Sequence, residues 1–105
     1  NVTDMRWMFA ENPAFNQDIG GWDVSSVVAM RSMFEENPAF NQDISGWDVS
    51  SVTGEIGMRA MFHNATAFNQ DLSPWCVSLI PALPSNFATG ATAWVLPKPV
   101  WGTCP

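Results

Sequence analysis

Apolar residues recur in a fixed order along this chain: Val27, Met30, Met33 and Phe34, then Phe40, Ile44, Trp47 and Val49, with polar residues between them. The same order begins at Val2 and again at Val52, and residues 2–26 and 27–51 are identical at 20 of 25 positions. A third copy runs from Val52 to about Ser78 and carries a three-residue insertion near Glu55-Ile56-Gly57. Periods of this length mark stacked supersecondary units. Within a copy, the spacing of Val27, Met30, Met33 and Phe34 lines one helical face and predicts a helix of about two turns. Thr3, Ser25 or Ser26 offer N-cap oxygens, and Asp4 adds negative charge where the helix dipole favours it. Asn12-Pro13 and Asn37-Pro38 end the helix, because the residue before a proline avoids helical geometry; the third copy has Asn64-Ala65-Thr66 and lacks the proline. The apolar and polar residues that follow predict a short strand at 17–24, 42–49 and 70–77, paired in parallel between copies with the helix as crossover.

The fold expected is therefore α/β: a short right-handed leucine-rich-repeat-like solenoid with one strand and one helix per repeat and an irregular, disulfide-closed C-terminal cap. Residues 1–78 hold the three repeats and 79–105 the cap, which has five prolines and no repeat periodicity. Stacking should place Phe15, Phe40 and Phe68 in one column, Ile19, Ile44 and Leu72 in another, and Trp22, Trp47 and Trp75 in a third. Methionines at 5, 30, 58 and 8, 33, 61 and phenylalanines at 9, 34 and 62 complete the core. A sugar-stacking platform is the functional alternative for the tryptophans; aromatics at strict repeat positions more often pack the interior.

Composition narrows the function. The 105 residues are 47% hydrophobic, enough for one small core, and only 13% charged, with a formal net charge of −6. Lys98 is the sole lysine, so the clustered cations that nucleic acid requires are missing. No apolar run approaches the ~20 residues of a membrane span, and no charged-then-apolar leader precedes the repeats. The opening in mid-pattern suggests a fragment or processed product of a longer array. Cys76 and Cys104 bracket the cap and read as a disulfide, which implies an oxidising compartment; two free buried thiols in a cytosolic protein are the alternative.

The polar columns have a structural and a functional reading. Asn16, Asn41 and Asn69 suit amide ladders that satisfy turn backbone groups. Asp18, Asp43 and Asp71 would stack like charges about 5 Å apart, a cost offset by a cation or by backbone donors. Arg6, Arg31 and Arg59 recur at one position, and an arginine column facing the aspartates would neutralise both. A calcium site is the weaker reading, since no EF-hand loop or calcium-binding nonapeptide is present. No metal or cofactor is expected. Asn1-Val2-Thr3 and Asn64-Ala65-Thr66 are sequons, making Asn1 and Asn64 candidate glycosylation sites.

Val27…Met30…Met33-Phe34…Ala39-Phe40-Asn41-Gln42-Asp43-Ile44…Trp47-Asp48-Val49-Ser50-Ser51 resembles the repeat unit of the BspA-like leucine-rich-repeat surface proteins of bacteria, and the resemblance covers residues 2–78. The ending Pro99-Val100-Trp101-Gly102-Thr103-Cys104-Pro105, with Trp75-Cys76-Val77, is similar to the ending of secreted members. The resemblance implies export, extracellular or cell-surface display, and a role in adhesion or protein contact. It brings no catalytic residues.

Catalysis is the least supported class: His63 is the single histidine, tyrosine is absent, and carboxylates follow the repeat instead of converging. The reading favoured is a non-catalytic surface repeat protein that binds a host or neighbouring-cell surface protein or glycan, with Asp18, Asp43, Asp71, Asp23, Asp48 and Trp7 as the candidate face. The alternative is a structural subunit binding copies of itself. Nothing resembling a cap precedes Val2, so Met5, Met8, Phe9, Phe15 and Trp22 would be partly bare unless another repeat, subunit or partner covers them, and head-to-tail stacking on that face can generate a filament.

Overall fold

The computed structural model describes residues 2–105. Its repeats lie on one another as successive coils, but they are not built from helices and strands. Among the described residues, the one helix is α1, Gly54–Met58, and the one bridge is an isolated parallel pair, Asp4 with Ala29. The α/β leucine-rich-repeat-like solenoid expected from the sequence is therefore wrong in its elements. α1 coincides with the three-residue insertion of the third copy, so the insertion supplies the helix that the repeat itself does not form.

Competition for the backbone N–H groups explains the missing helices. Met5, Trp7, Phe9 and Glu11 donate to Ala29, Arg31, Met33 and Glu35 of the next coil, at 2.8–3.0 Å. Met30, Ser32, Phe34 and Glu36 donate in the same way to Gly57, Arg59, Met61 and His63. An α-helix needs those donors four residues back within its own segment. The intervening groups close tight turns instead, with Met8 bonding to Met5 and Ala10 to Trp7. In the third coil, Arg59 at φ −56°, ψ 131° and Ala60 at φ 55° take the values of a type II turn, closed by Met61 on Met58. The matching residues are left-handed throughout: Trp7, Ser32, Ala60 and Asn86 in one column, and Glu11, Glu36 and Asn64 four residues on. A non-glycine residue there costs about 1–3 kcal/mol, and the bonds between coils offset it.

Turns also replace the expected strands. Trp22, Trp47 and Trp75 donate from the backbone to Ile19, Ile44 and Leu72, and Val27, Val52 and Ile80 donate to Val24, Val49 and Val77. A reversal every few residues leaves no room for a ladder. The side chains between reversals nevertheless stack. Phe9 and Phe15 are paired face to face at 3.8 Å, Phe34 and Phe40 at 4.2 Å, and Phe62 and Phe68 at 4.3 Å. The pairs lie on one another at 5.4–5.9 Å along the stack. Trp47 and Trp75 are buried and donate their indole N–H to Ile19 O and Ile44 O of the preceding coil, each at 3.0 Å.

Residues 79–105 form a fourth coil, although their sequence shows no repeat. Ala60, Phe62 and Asn64 donate to Ser85, Phe87 and Thr89, Asn86 and Gly90 repeat the left-handed positions, and Ala91 and Trp94 follow the turn path of Ala65 and Phe68. Pro84 falls where Met5, Met30 and Met58 stand in the earlier coils. Trp94 meets Phe62 and Phe68 edge-on, which ends the parallel stacking. Cys76 and Cys104 form a disulfide that ties this coil to the third.

Candidate functional site

Of the six residues expected to make a binding face, Trp7 lines a depression to which none of the five aspartates contributes. Asp18, Asp43 and Asp71 are exposed, and each accepts the amide N–H of the residue two further on: Gly20, Ser45 and Ser73. Asp23 and Asp48 hold Ser25 and Ser50 by amide and hydroxyl in the same way. These are Asx turns, in which the backbone supplies donors to each member of the acidic column. The serine bonds hold the Asp23, Asp43, Asp48 and Asp71 carboxyls below the usual aspartate range; neighbouring Asp23 opposes this slightly at Asp48. Cys76 occupies the third position of the Asp23 and Asp48 column, so in that coil the disulfide replaces the turn cap.

Asn16, Asn41 and Asn69 are likewise occupied. Asn16 Oδ1 accepts the Asn41 amide and Gln42 Nε2, Asn41 Oδ1 accepts the Asn69 amide and Gln70 Nε2, and Asn69 Oδ1 accepts the Val95 and Leu96 amides. Sequence reasoning missed a second amide device. Asn37 is wholly buried, its Oδ1 accepts the Ala39 and Phe40 amides, and its Nδ2 donates to Phe9 O of the first coil. Asn64 is exposed, left-handed, and packed against Gly90, where any Cβ would collide with it. Asn1 lies outside the described residues.

The arginine column does not face the aspartate column. Arg6 pairs with Asp4 at 2.8 Å, which lowers the Asp4 pKa and raises that of Arg6. Asp4 gives way to Ala29 and Gly57 in the next coils, so the partner is lost. Among the described residues no carboxylate lies within ion-pair distance of Arg31 or Arg59. The Arg31 guanidinium lies 6.0 Å from the centre of the Trp7 ring. Trp7, Arg31, Arg59, Glu35 and His63 line an open depression of about 210 Å³ over Ser32 and Ala60, and His63 Nδ1 is 3.4 Å from Glu35 Oε2.

The second candidate surface is the outer side of the first coil. Met5 and Ile19 are buried, and Phe9 and Phe15 are partly buried. Trp22, however, is 42% exposed and Met8 43%, against 3% for Trp47 and 0% for Met33. Val2, Met5, Met8, Trp22 and Asp23 line an open depression of about 360 Å³. Among the described residues no three His, Cys, Asp or Glu side chains converge as a metal site, and no helix is long and apolar enough to cross a membrane. Residues 1–94 match the model of the family described as Mycoplasma protein of unknown function, DUF285, and the chain belongs to that family. No curated protein and no solved structure matches it.

Proposed function

We propose that this chain is a non-catalytic contact module displayed outside the cell, of the BspA-like kind, mediating adhesion by binding a surface protein or glycan. The observation that carries the reading is that, among the described residues, Val2, Met8 and Trp22 are exposed around buried Met5. An exposed apolar patch of this kind marks an interaction surface in a folded chain. The disulfide supports an oxidising location. Screening the purified chain against immobilised surface proteins and glycans tests the proposal. A partner whose binding is lost in Met8→Asp and Trp22→Asp supports it; an empty screen, or partners indifferent to both substitutions, removes it.

The same face supports a second reading, assembly of copies. Coil-to-coil bonds run from N–H groups of one coil to carbonyls of the next, so the first coil turns the carbonyls at positions 4, 6, 8 and 10 outward, as their equivalents at 29, 31, 33 and 35 are the acceptors. The amides of Asn86, Ala88 and Gly90 hold the equivalent donor positions in the fourth coil. Particles much larger than 11.5 kDa in light scattering, dispersed by Met8→Asp, support head-to-tail stacking; a monodisperse monomer at high concentration dismisses it.

A further inference from the structure

We propose that the depression beside Trp7 binds the carboxylate of an acidic sugar, a site separate from the first-coil face and independent of what that face contacts. Three features converge there. The first is a step in the surface. Trp7 stands in the left-handed column whose next members are Ser32 and Ala60, so a large exposed indole is followed by two small side chains, and the depression of about 210 Å³ opens over them. That volume is below the ~300–1,000 Å³ of sites that enclose a whole ligand; it suits one ring of a saccharide lying across the coils.

The second feature is charge. Arg6 has its carboxylate in Asp4, and the replacement of Asp4 by Ala29 and Gly57 leaves Arg31 and Arg59 without the equivalent partner. Half of the four basic residues of a chain with net charge −6 therefore border one depression with no ion-pair partner among the described side chains. A guanidinium presents parallel N–H donors that match a carboxylate fork. The third feature is the indole. Arg31 lies toward the Trp7 ring, so a carboxylate drawn to Arg31 brings the C–H face of its pyranose within reach of an aromatic surface. Glu35 lies on the rim beside His63 and repels an anion, which gives the site a test that a merely structural cluster would not pass.

Titration of the isotope-labelled full chain, followed through the backbone amide resonances of Ser32 and Ala60 in every variant and through the Trp7 indole N–H where it is present, tests the site with three probes: glucuronate, glucose and inorganic phosphate. The expected result is a saturable shift with glucuronate and none with glucose. Arg31→Gln with Arg59→Gln should weaken glucuronate about tenfold or more, the scale of charge-assisted hydrogen bonds. Trp7→Ala should also weaken it, and Glu35→Gln should strengthen it. Trp7 and Arg59 are exposed and Arg31 and Glu35 half-buried, and an unchanged spectrum elsewhere shows that the fold is kept. No saturable shift with glucuronate, or an equal one with glucose, overturns the proposal. Phosphate binding as tight as glucuronate and indifferent to Trp7→Ala also overturns it, by reducing the site to a simple anion patch.

Discussion

The first and fourth coils, at opposite ends of the described residues, pack against their neighbours in different ways. The fourth has lost the repeat sequence and packs differently: Trp94 turns edge-on to the phenylalanine columns, Pro84 lacks the N–H that Met5 and Met30 donate, and the disulfide fastens the coil to the third. The first keeps the repeat sequence almost perfectly and leaves its Phe9 and Phe15 pair and its Trp22 partly bare. Identical residues thus have different surroundings according to the coil above them. A repeat specifies an interior only where it has a neighbour on both sides, whereas an end must be specified by departures from the repeat.

Substitution at equivalent positions should widen this contrast. Trp75→Ala removes a buried indole bonded to Ile44 O and is expected to cost about 3–5 kcal/mol. Trp22→Ala should cost well under half as much, and paired denaturant titrations check the difference. Cys76→Ser with Cys104→Ser opens a loop of sequence separation 28 and should cost about 3–4 kcal/mol, with amide exchange rising first in the fourth coil. Asn37→Ala strands the part-buried Ala39 amide and the buried Phe40 amide and should cost about 2–3 kcal/mol; Asn12→Ala, whose bonds to Ala14 and Phe15 are exposed, should cost about 1. Glu36→Gly relieves a left-handed residue and should be neutral or stabilising by up to about 1 kcal/mol. The smallest effect is that of acid. Because Asp23, Asp43, Asp48 and Asp71 have carboxyls lowered in the native state, they contribute stability above about pH 4 that is lost as pH falls through their native pKa values. The melting temperature should fall over that range, and fall less in Ser25→Ala with Ser50→Ala, while the fourth coil lacks this device.

The columns were legible because identical side chains at one repeat position can only meet when coils stack; Phe40 over Phe68 and the Asn41 to Asn69 ladder follow directly. The local backbone was not legible. Val27, Met30, Met33 and Phe34 have helical spacing, yet successive turns of three to four residues return side chains to one side just as a helix does. Trp7, Glu11 and Ser32 carry no glycine or asparagine signature of the left-handed conformation they adopt. The fourth coil did leave a trace: Asn86 and Gly90, four apart, are residue types at ease in that conformation, as Ala60 and Asn64 are placed in the third. The Trp7 depression was detectable as two departures from the repeat, the step from Trp7 to Ser32 and Ala60 and the loss of Asp4 from the later copies.

The methionine position passes from Met5 to Met30 to Met58 and then to Pro84, so successive coils have lengths of 25, 28 and 26 residues. All keep the same bonding register beyond that point. The extra length of the longest is taken up at a single corner, where α1 forms between the turn ending at Val52 and the column starting at Met58. That corner works as an expansion joint. It is the place where foreign loops or labels can be grafted into a coil while its neighbours keep their alignment.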